Sequence, residues 1–207
     1  MISVKLITAP TEEPVSLAEA KLHLRMDAEE TSPATTHPDD VLVAALIEAA
    51  RDWAERFQNR AYITQTWRLS MVAFPTERYI ELPRPPLQSL VTLSYWDGTA
   101  TQVVSFVDPS GTALLETDDY LVDIESQPGR LCLKPGLSWP VIESRANAVQ
   151  IEYVAGYGAA SDVPERVKAA IKLRISEMYE NRGDQATDQR YKSAAEMLLW
   201  MDRIIPI

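Results

Sequence analysis

The sequence predicts an α+β fold in which four helices enclose, in chain order, an inserted antiparallel β domain. Three observations predict it. Apolar residues recur at helical spacing near 40–59 and again near 163–182. Between them, residues 64–157 change to alternation at period two, broken by prolines and glycines. A last apolar helical pattern occupies about 191–204. We assign residues 1–63 and 158–207 to a helical core and residues 64–157 to the insertion.

Residues 1–14 read as extended, because Pro10 and Pro14 argue against helix. Ser16 then caps a short helix over 16–25, with Glu19 completing a capping box and Leu17, Ala20 and Leu24 on its apolar side. Residues 27–40 form a polar, acidic loop with two prolines, and Asp39 or Asp40 caps the second helix. On that helix Leu42, Leu46, Ala49, Trp53 and Phe57 form one stripe. Val43, Ile47, Ala50 and Ala54 form a second beside it, and Glu48, Arg51, Asp52 and Glu55 lie opposite. At 100° per residue the two stripes cover roughly 160°, more than packing on a single core requires. Either this helix is sandwiched within one chain, or part of the arc meets another subunit.

The β region contains about six strands. Trp67, Leu69 and Met71 alternate in the first, Pro83, Pro85 and Pro86 interrupt pairing, and Asp97-Gly98 marks a hairpin. Pro128-Gly129 marks a further turn, and residues 148–158 form a strand ending at Gly156 and Gly158. In the third helix, 163–182, Asp162 is the expected N-cap with Glu165 in a capping box, and Val167, Ile171, Ile175 and Met178 form the stripe. Lys168 and Lys172 lie off it, and Asn181-Arg182-Gly183 is the stop. The last helix carries Ala195, Leu198, Leu199, Trp200 and Met201. Apolar side chains surround so much of it that it needs a partner or a place in the core.

Composition limits the chemistry. Net charge is −10, divided as −5 over 1–60, −5 over 61–156 and zero over 157–207, so no segment offers phosphates a basic footprint. The single cysteine, Cys132, excludes an internal disulfide and suits synthesis in a reducing cytoplasm. The first residues lack the long apolar core of a secretion signal. One Cys and two His, His23 and His37, cannot assemble a zinc set, and no cofactor-binding motif is present. No G-x-S-x-G surrounds a serine. The acidic pairs Glu29-Glu30, Asp39-Asp40 and Asp118-Asp119 fall in loops or at a helix start, where solvation or capping explains them. Trp67, Trp96 and Trp139 suit packing better than a base-stacking platform, since basic residues beside them are sparse. No enzyme is indicated.

Six stretches in order resemble one family: VSLAEAKLHLR (15–25), DDVLVAALIEAARDWAERFQNRAYITQTWRL (39–69), ELPRPPLQSLVTLSYWD (81–97), VQIEYVAGYG (149–158), VPERVKAAIKLRISEMYENR (163–182) and AAEMLLWMDR (194–203). They resemble the head–tail connector (head completion adaptor) proteins of tailed bacteriophages, in the long variety with a β insertion. The resemblance implies a four-helix connector core and a virion structural role at the neck. A ring of about a dozen copies would sit under the portal, extend the DNA channel and receive the next neck, stopper or tail-completion protein. Candidate subunit-interface residues are Leu42, Val43, Leu46, Ile47, Ala50, Trp53 and Ala54. Candidate portal-docking residues are Leu198, Leu199, Trp200, Met201, Ile204 and Ile205. Removing residues 191–207 is expected to spare folding and abolish portal attachment.

Acidic charge suits a channel through which double-stranded DNA slides without specific binding, and about twelve copies would carry on the order of −120 charges. The alternative is a recognition module binding a glycan or protein through Trp96 or Trp139 of the aromatic-rich β domain.

Overall fold

The computed structural model describes residues 2–26, 37–143, 145–181 and 193–205. Four α-helices, a 3-10 turn and eight strands occur among them. The chain divides into two compact units: Met1–Thr11 with Arg60–Tyr157, and Glu12–Asn59 with Gly158–Ile207.

The β unit contains two antiparallel sheets. Strands β1 (Ile2–Thr8), β2 (Gln65–Met71), β4 (Leu87–Trp96), β5 (Thr101–Ser105) and β8 (Val149–Ala155) form the larger, in the order β1-β2-β8-β4-β5. Strands β3 (Tyr79–Leu82), β6 (Tyr120–Asp123) and β7 (Gly129–Leu133) form the smaller, in the order β3-β7-β6. Alternation explains why one core joins them. Along β8, Val149, Ile151, Tyr153 and Ala155 are buried while the residues between them are half-exposed. Leu69, Leu90, Leu93 and Phe106 meet Leu82, Tyr120, Val122 and Leu131 in the same core. Tyr153 keeps its one polar atom satisfied by donating from its hydroxyl to the Pro83 carbonyl at 2.9 Å. Burial pushes that phenol well above the usual tyrosine range.

The strand β1 lies in this unit, not in the helical part to which residues 1–63 are assigned above. It pairs antiparallel with β2, Val4 opposite Leu69 and Leu6 opposite Trp67. The prolines at 10 and 14 exclude helix, but nothing local names a partner nearly sixty residues ahead.

Three aspartates of this unit organise turns. At the expected Asp97-Gly98 hairpin, Asp97 Oδ1 accepts from the Thr99 and Ala100 amides, each at 2.8 Å, and Gly98 supplies φ 100°. Asp108 accepts from the Ser110 and Thr112 amides and Asp123 from the Glu125 and Ser126 amides. The Ala100 and Thr99 amides at Asp97, the Ser110 hydroxyl and then the Thr112 amide at Asp108, and the Ser126 hydroxyl and amide at Asp123 hold all three carboxyls below the usual aspartate range. The stabilisation is present above the ordinary value of 3.8 and is lost as pH falls through the depressed folded values. The urea midpoint is therefore expected to drop between about pH 4 and pH 2, and Asp97→Asn to make that drop shallower.

In the helical unit, α1 (Leu17–His23) begins with the expected box: Glu19 N–H donates to Ser16 Oγ, and Ser16 N–H to Glu19 Oε2 at 2.8 Å. Helix α2 (Asp40–Gln58) ends at Asn59 in the left-handed region, and α3 (Glu165–Glu180) packs against it. The box expected at Asp162 and Glu165 does not form. Pro164 is the N-cap, and Asp162 instead closes the 3-10 turn Ala160–Asp162 by accepting from the Ala159 amide at 2.9 Å. Val167, Ala170, Ile171 and Ile175 are buried, whereas Met178 is half-buried. Lys168, expected off the stripe, is buried as well; its stem covers the core while Nζ reaches Glu165 at 2.9 Å. The last helix, α4 (Ala194–Trp200), is capped by Ser193 with Glu196.

The loop expected at 27–40 falls mainly outside the described residues, as do the glycine stop at 183 and the start of the last helix at 191.

Candidate functional site

No helix among the described residues is long and apolar enough to cross a membrane. None of their His, Cys, Asp and Glu side chains cluster in threes where a metal ion could be held. The acidic pair at 39–40 is used structurally. Tyr179 donates from its hydroxyl to Asp39 at 2.6 Å, and Lys21 Nζ sits 2.7 Å from Asp40, whose carboxyl that hydrogen bond lowers. What the fold offers is surface.

Helix α2 divides its wide apolar arc into two parts. Val43, Ile47, Ala50 and Ala54 are buried inside the helical unit, so these four candidate interface residues face their own chain. Leu42, Leu46 and Trp53 are half-buried, as is Phe57, and Ala49 is exposed. Trp53 stacks on Phe57 at 5.7 Å between ring centroids, and Arg174 lies over the Trp53 ring at 4.9 Å. The stripe 42-46-49-53-57 is thus the outward one, and the stripe 43-47-50-54 the core.

The arc ends where charge is buried. Arg51 and Glu55, expected on the polar side, are buried, and the half-buried Glu13 joins them. Arg51 Nε donates to Glu13 Oε2 at 2.8 Å and its terminal nitrogen to Glu55 Oε2 at 2.9 Å. Burial pushes the Glu13 carboxyl up despite the guanidinium beside it. Burial pulls the Arg51 guanidinium down, but the Glu55 and Glu13 charges outweigh it and hold it above its ordinary value. The i,i+4 spacing of Arg51 and Glu55 is visible in the sequence, whereas the third member, across a loop and helix α1, is not.

The C-terminal segment likewise has two sides. Leu199 and Ala195 are fully or almost fully buried, and the Gln58 amide donates to the Leu199 carbonyl at 2.7 Å. Asn59 Nδ2 donates to the Ile204 carbonyl at 2.7 Å, and the Ile204 amide returns to the Gln58 carbonyl at 2.9 Å. The end of α2 therefore anchors the tail. Leu198 and Ile204 are half-buried, while Trp200, Met201 and Ile205 are exposed, Met201 to 79%. Of the docking candidates, Leu199 belongs to the core. Deletion of 191–207 would uncover that core, contrary to the expectation that folding is spared.

Of the indoles proposed for recognition, Trp139 is consumed by packing. It stacks on Phe74 at 4.8 Å and on Tyr120 at 5.9 Å, and donates from Nε1 to the Glu77 carbonyl at 2.7 Å. The same environment pushes the Tyr120 phenol up to about 12, through burial first. Trp96 is covered by Arg145 at 4.0 Å and borders a shallow polar cleft with Ser94, Asn147 and Gln150.

No protein-family model matches the chain, and no curated protein sequence does. Solved structures do match its fold. A chain in the neck of an empty gene transfer agent (GTA) particle, computed with C6 symmetry, aligns with a TM-score of 0.78 at 20% identity, covering 99% of this chain and 97% of that one. A chain of the native GTA virion aligns at 0.71 and 20% identity, covering 99% and 96%. A chain in the neck of the native particle, computed with C12 symmetry, aligns at 0.71 and 20%, covering 99% and 97%. The mixed α+β architecture, four helices with two antiparallel sheets among the described residues, is similar to that of a GTA neck chain.

Proposed function

We propose that this chain is a virion structural protein of the head–tail neck, an adaptor that assembles as a ring of about a dozen copies beneath the portal. In this reading the ring extends the DNA channel and offers the next neck or tail protein its attachment surface, with assembly in the host cytoplasm. The observation that carries the reading is the end-to-end likeness: both units, in one chain order, cover 99% of this chain in alignment with a neck component. The residues that present surface agree with it. The α2 stripe at Leu42, Leu46 and Trp53 suits a neighbouring copy, and Trp200, Met201 and Ile205 suit the portal. A net charge of −10 disfavours lasting contact with passing DNA.

The test is co-sedimentation of the purified chain with portal complexes, together with deletion of its gene. Binding to the portal and loss of infectious tailed particles are expected. Normal particles from the deletion, with no co-sedimentation, overturn the reading.

Paired substitutions separate folding from docking. Leu199→Asp places a charge in a fully buried site and is expected to cost about 4 kcal/mol or more, unfolding the helical unit. Met201→Asp is expected to shift the melting free energy by less than about 0.5 kcal/mol while weakening portal binding. Thermal denaturation and sedimentation read the two separately.

A further inference from the structure

The larger sheet has two open edges, and they differ. At one edge all seven residues of β1 are exposed, on both faces. The register runs Val4, Leu69, Ile151, Leu93, Val104 straight across the five strands. Its middle members are fully buried, but at β1 the cover ends: Ile2, Val4 and Leu6 are 67%, 36% and 38% exposed on the face that forms the core elsewhere. At the other edge β5 exposes Val103 to 62%, and Val104 is half-buried.

No strand among the described residues pairs with the outer side of either. Edge strands usually carry guards such as proline, inward charge or a bulge. From Ile2 to Leu6, β1 has no proline and no bulge, and its only charge, Lys5, lies on the polar face beside Arg68. Lys5 and the irregularity between Leu6 and Thr8 are its only guards, and an edge whose apolar face lies this open is a template for another strand.

We infer that β1 of one copy pairs with β5 of the next, so that the larger sheet continues from subunit to subunit. The inference rests on the ring reading above and names its contact. Every neighbouring pair in the sheet is antiparallel, so β1, β8 and β5 run one way and β2 and β4 the other. A neighbour related by a small rotation about an axis along the strands keeps that direction. Its β1 then lies parallel to β5, with apolar face continuing apolar face. Pairing β1 with β1 would be two-fold and would close on a dimer with β5 left open. A head-to-tail contact uses both edges of every copy, as cyclic symmetry requires. Charge favours the match: β1 carries Lys5 and no acid, whereas β5 lies between Asp97 and Asp108.

The experiment uses full-length protein carrying Cys132→Ser, assembled on portal complexes and then oxidised. Ser3→Cys or Lys5→Cys is combined with Val103→Cys or Ser105→Cys, all on the polar face, to sample the register. At least one double variant is expected to give a ladder of covalent multimers under non-reducing conditions, and no single variant to do so. In parallel, Val4→Lys puts a charge where the neighbour would bury it. Ring assembly is expected to fall about tenfold or more, with the melting of the free chain unchanged. Rings that assemble without cross-links, cross-links from Ser3→Cys alone, or Val4→Lys rings forming as readily as wild type each overturn the inference and leave the adaptor reading standing. Failure of the unmodified chain to sediment with the portal overturns the adaptor reading, and the inference with it.

Discussion

Gly156→Ala is expected to be among the most damaging single substitutions in the β unit, lowering stability by about 3 kcal/mol or more. Two costs combine. Gly156 holds φ +128°, a conformation that residues with a Cβ rarely adopt. A Cβ there would also collide with the Ile63 carbonyl and lie 2.9 Å from the Thr64 nitrogen, all backbone atoms that cannot rotate away. The position cannot shift easily, because the Gly156 amide donates to the Pro86 carbonyl at 2.9 Å and its own carbonyl accepts from Gln88 Nε2 at 2.8 Å. Gly111→Ala is the control. Its φ is +89° with no atom within 4 Å of the added carbon, so only the conformational cost of about 1 kcal/mol applies. Urea unfolding of the two variants beside wild type checks the difference; equal midpoints would contradict it.

Arg51→Ala is expected to cost about 3 kcal/mol in the helical unit. The substitution removes the cation between two carboxylates that burial has already made expensive, Glu55 almost wholly inside and Glu13 with 31% of its side chain exposed. That residual exposure of Glu13 sets the expected loss at the lower end for a broken buried network. Arg56→Ala, which breaks the exposed pair with Asp52, is expected to change stability by about 0.5 kcal/mol or less. The pH dependence distinguishes the network from simple packing. Burial raises the Glu13 carboxyl, so it takes up a proton early on acidification, and the deficit of Arg51→Ala shrinks as pH falls from neutral through that raised value. A deficit independent of pH would mean that the lost packing of the arginine stem carries the effect.

The first three helices were legible because each shows its period within a single window, whereas the last, expected to reach Ile204, ends at Trp200. Ser16 and Glu19 form the expected box, and α2 and α3 fall within two residues of their expected bounds at most ends. The two stripes of α2 were also legible. Which of them faces inward was not, because Leu42 and Leu46 are as apolar as Val43 and Ile47, and only the tertiary partner decides. Lys168 and Arg51 were placed outside by their charge, yet long stems and ion partners bring both inside. At Asp162 a short-range competitor prevailed: Pro164 starts the helix later, and the carboxylate satisfies a turn amide instead of a helical one. The first strand shows alternation in Ile2, Val4 and Leu6, but a strand without a hairpin partner nearby leaves its pairing unwritten in local pattern.

The interleaving of the two units has a kinetic consequence. The chain begins in the β unit, passes through the first half of the helical unit, returns to the β unit and only then supplies the second helical half. On a ribosome, α2 emerges with Val43, Ile47, Ala50 and Ala54 lacking the helix that covers them. About 100 residues must follow before that helix appears, which at roughly 5–20 residues per second is a wait on the order of 5–20 s. Through that interval the nascent polypeptide carries an uncapped greasy rod, a substrate for trigger-factor-like holdases and a liability in over-expression. Closure of the bundle is thereby tied to synthesis of α3 and α4, since a product truncated before them has half a bundle with nothing to close it.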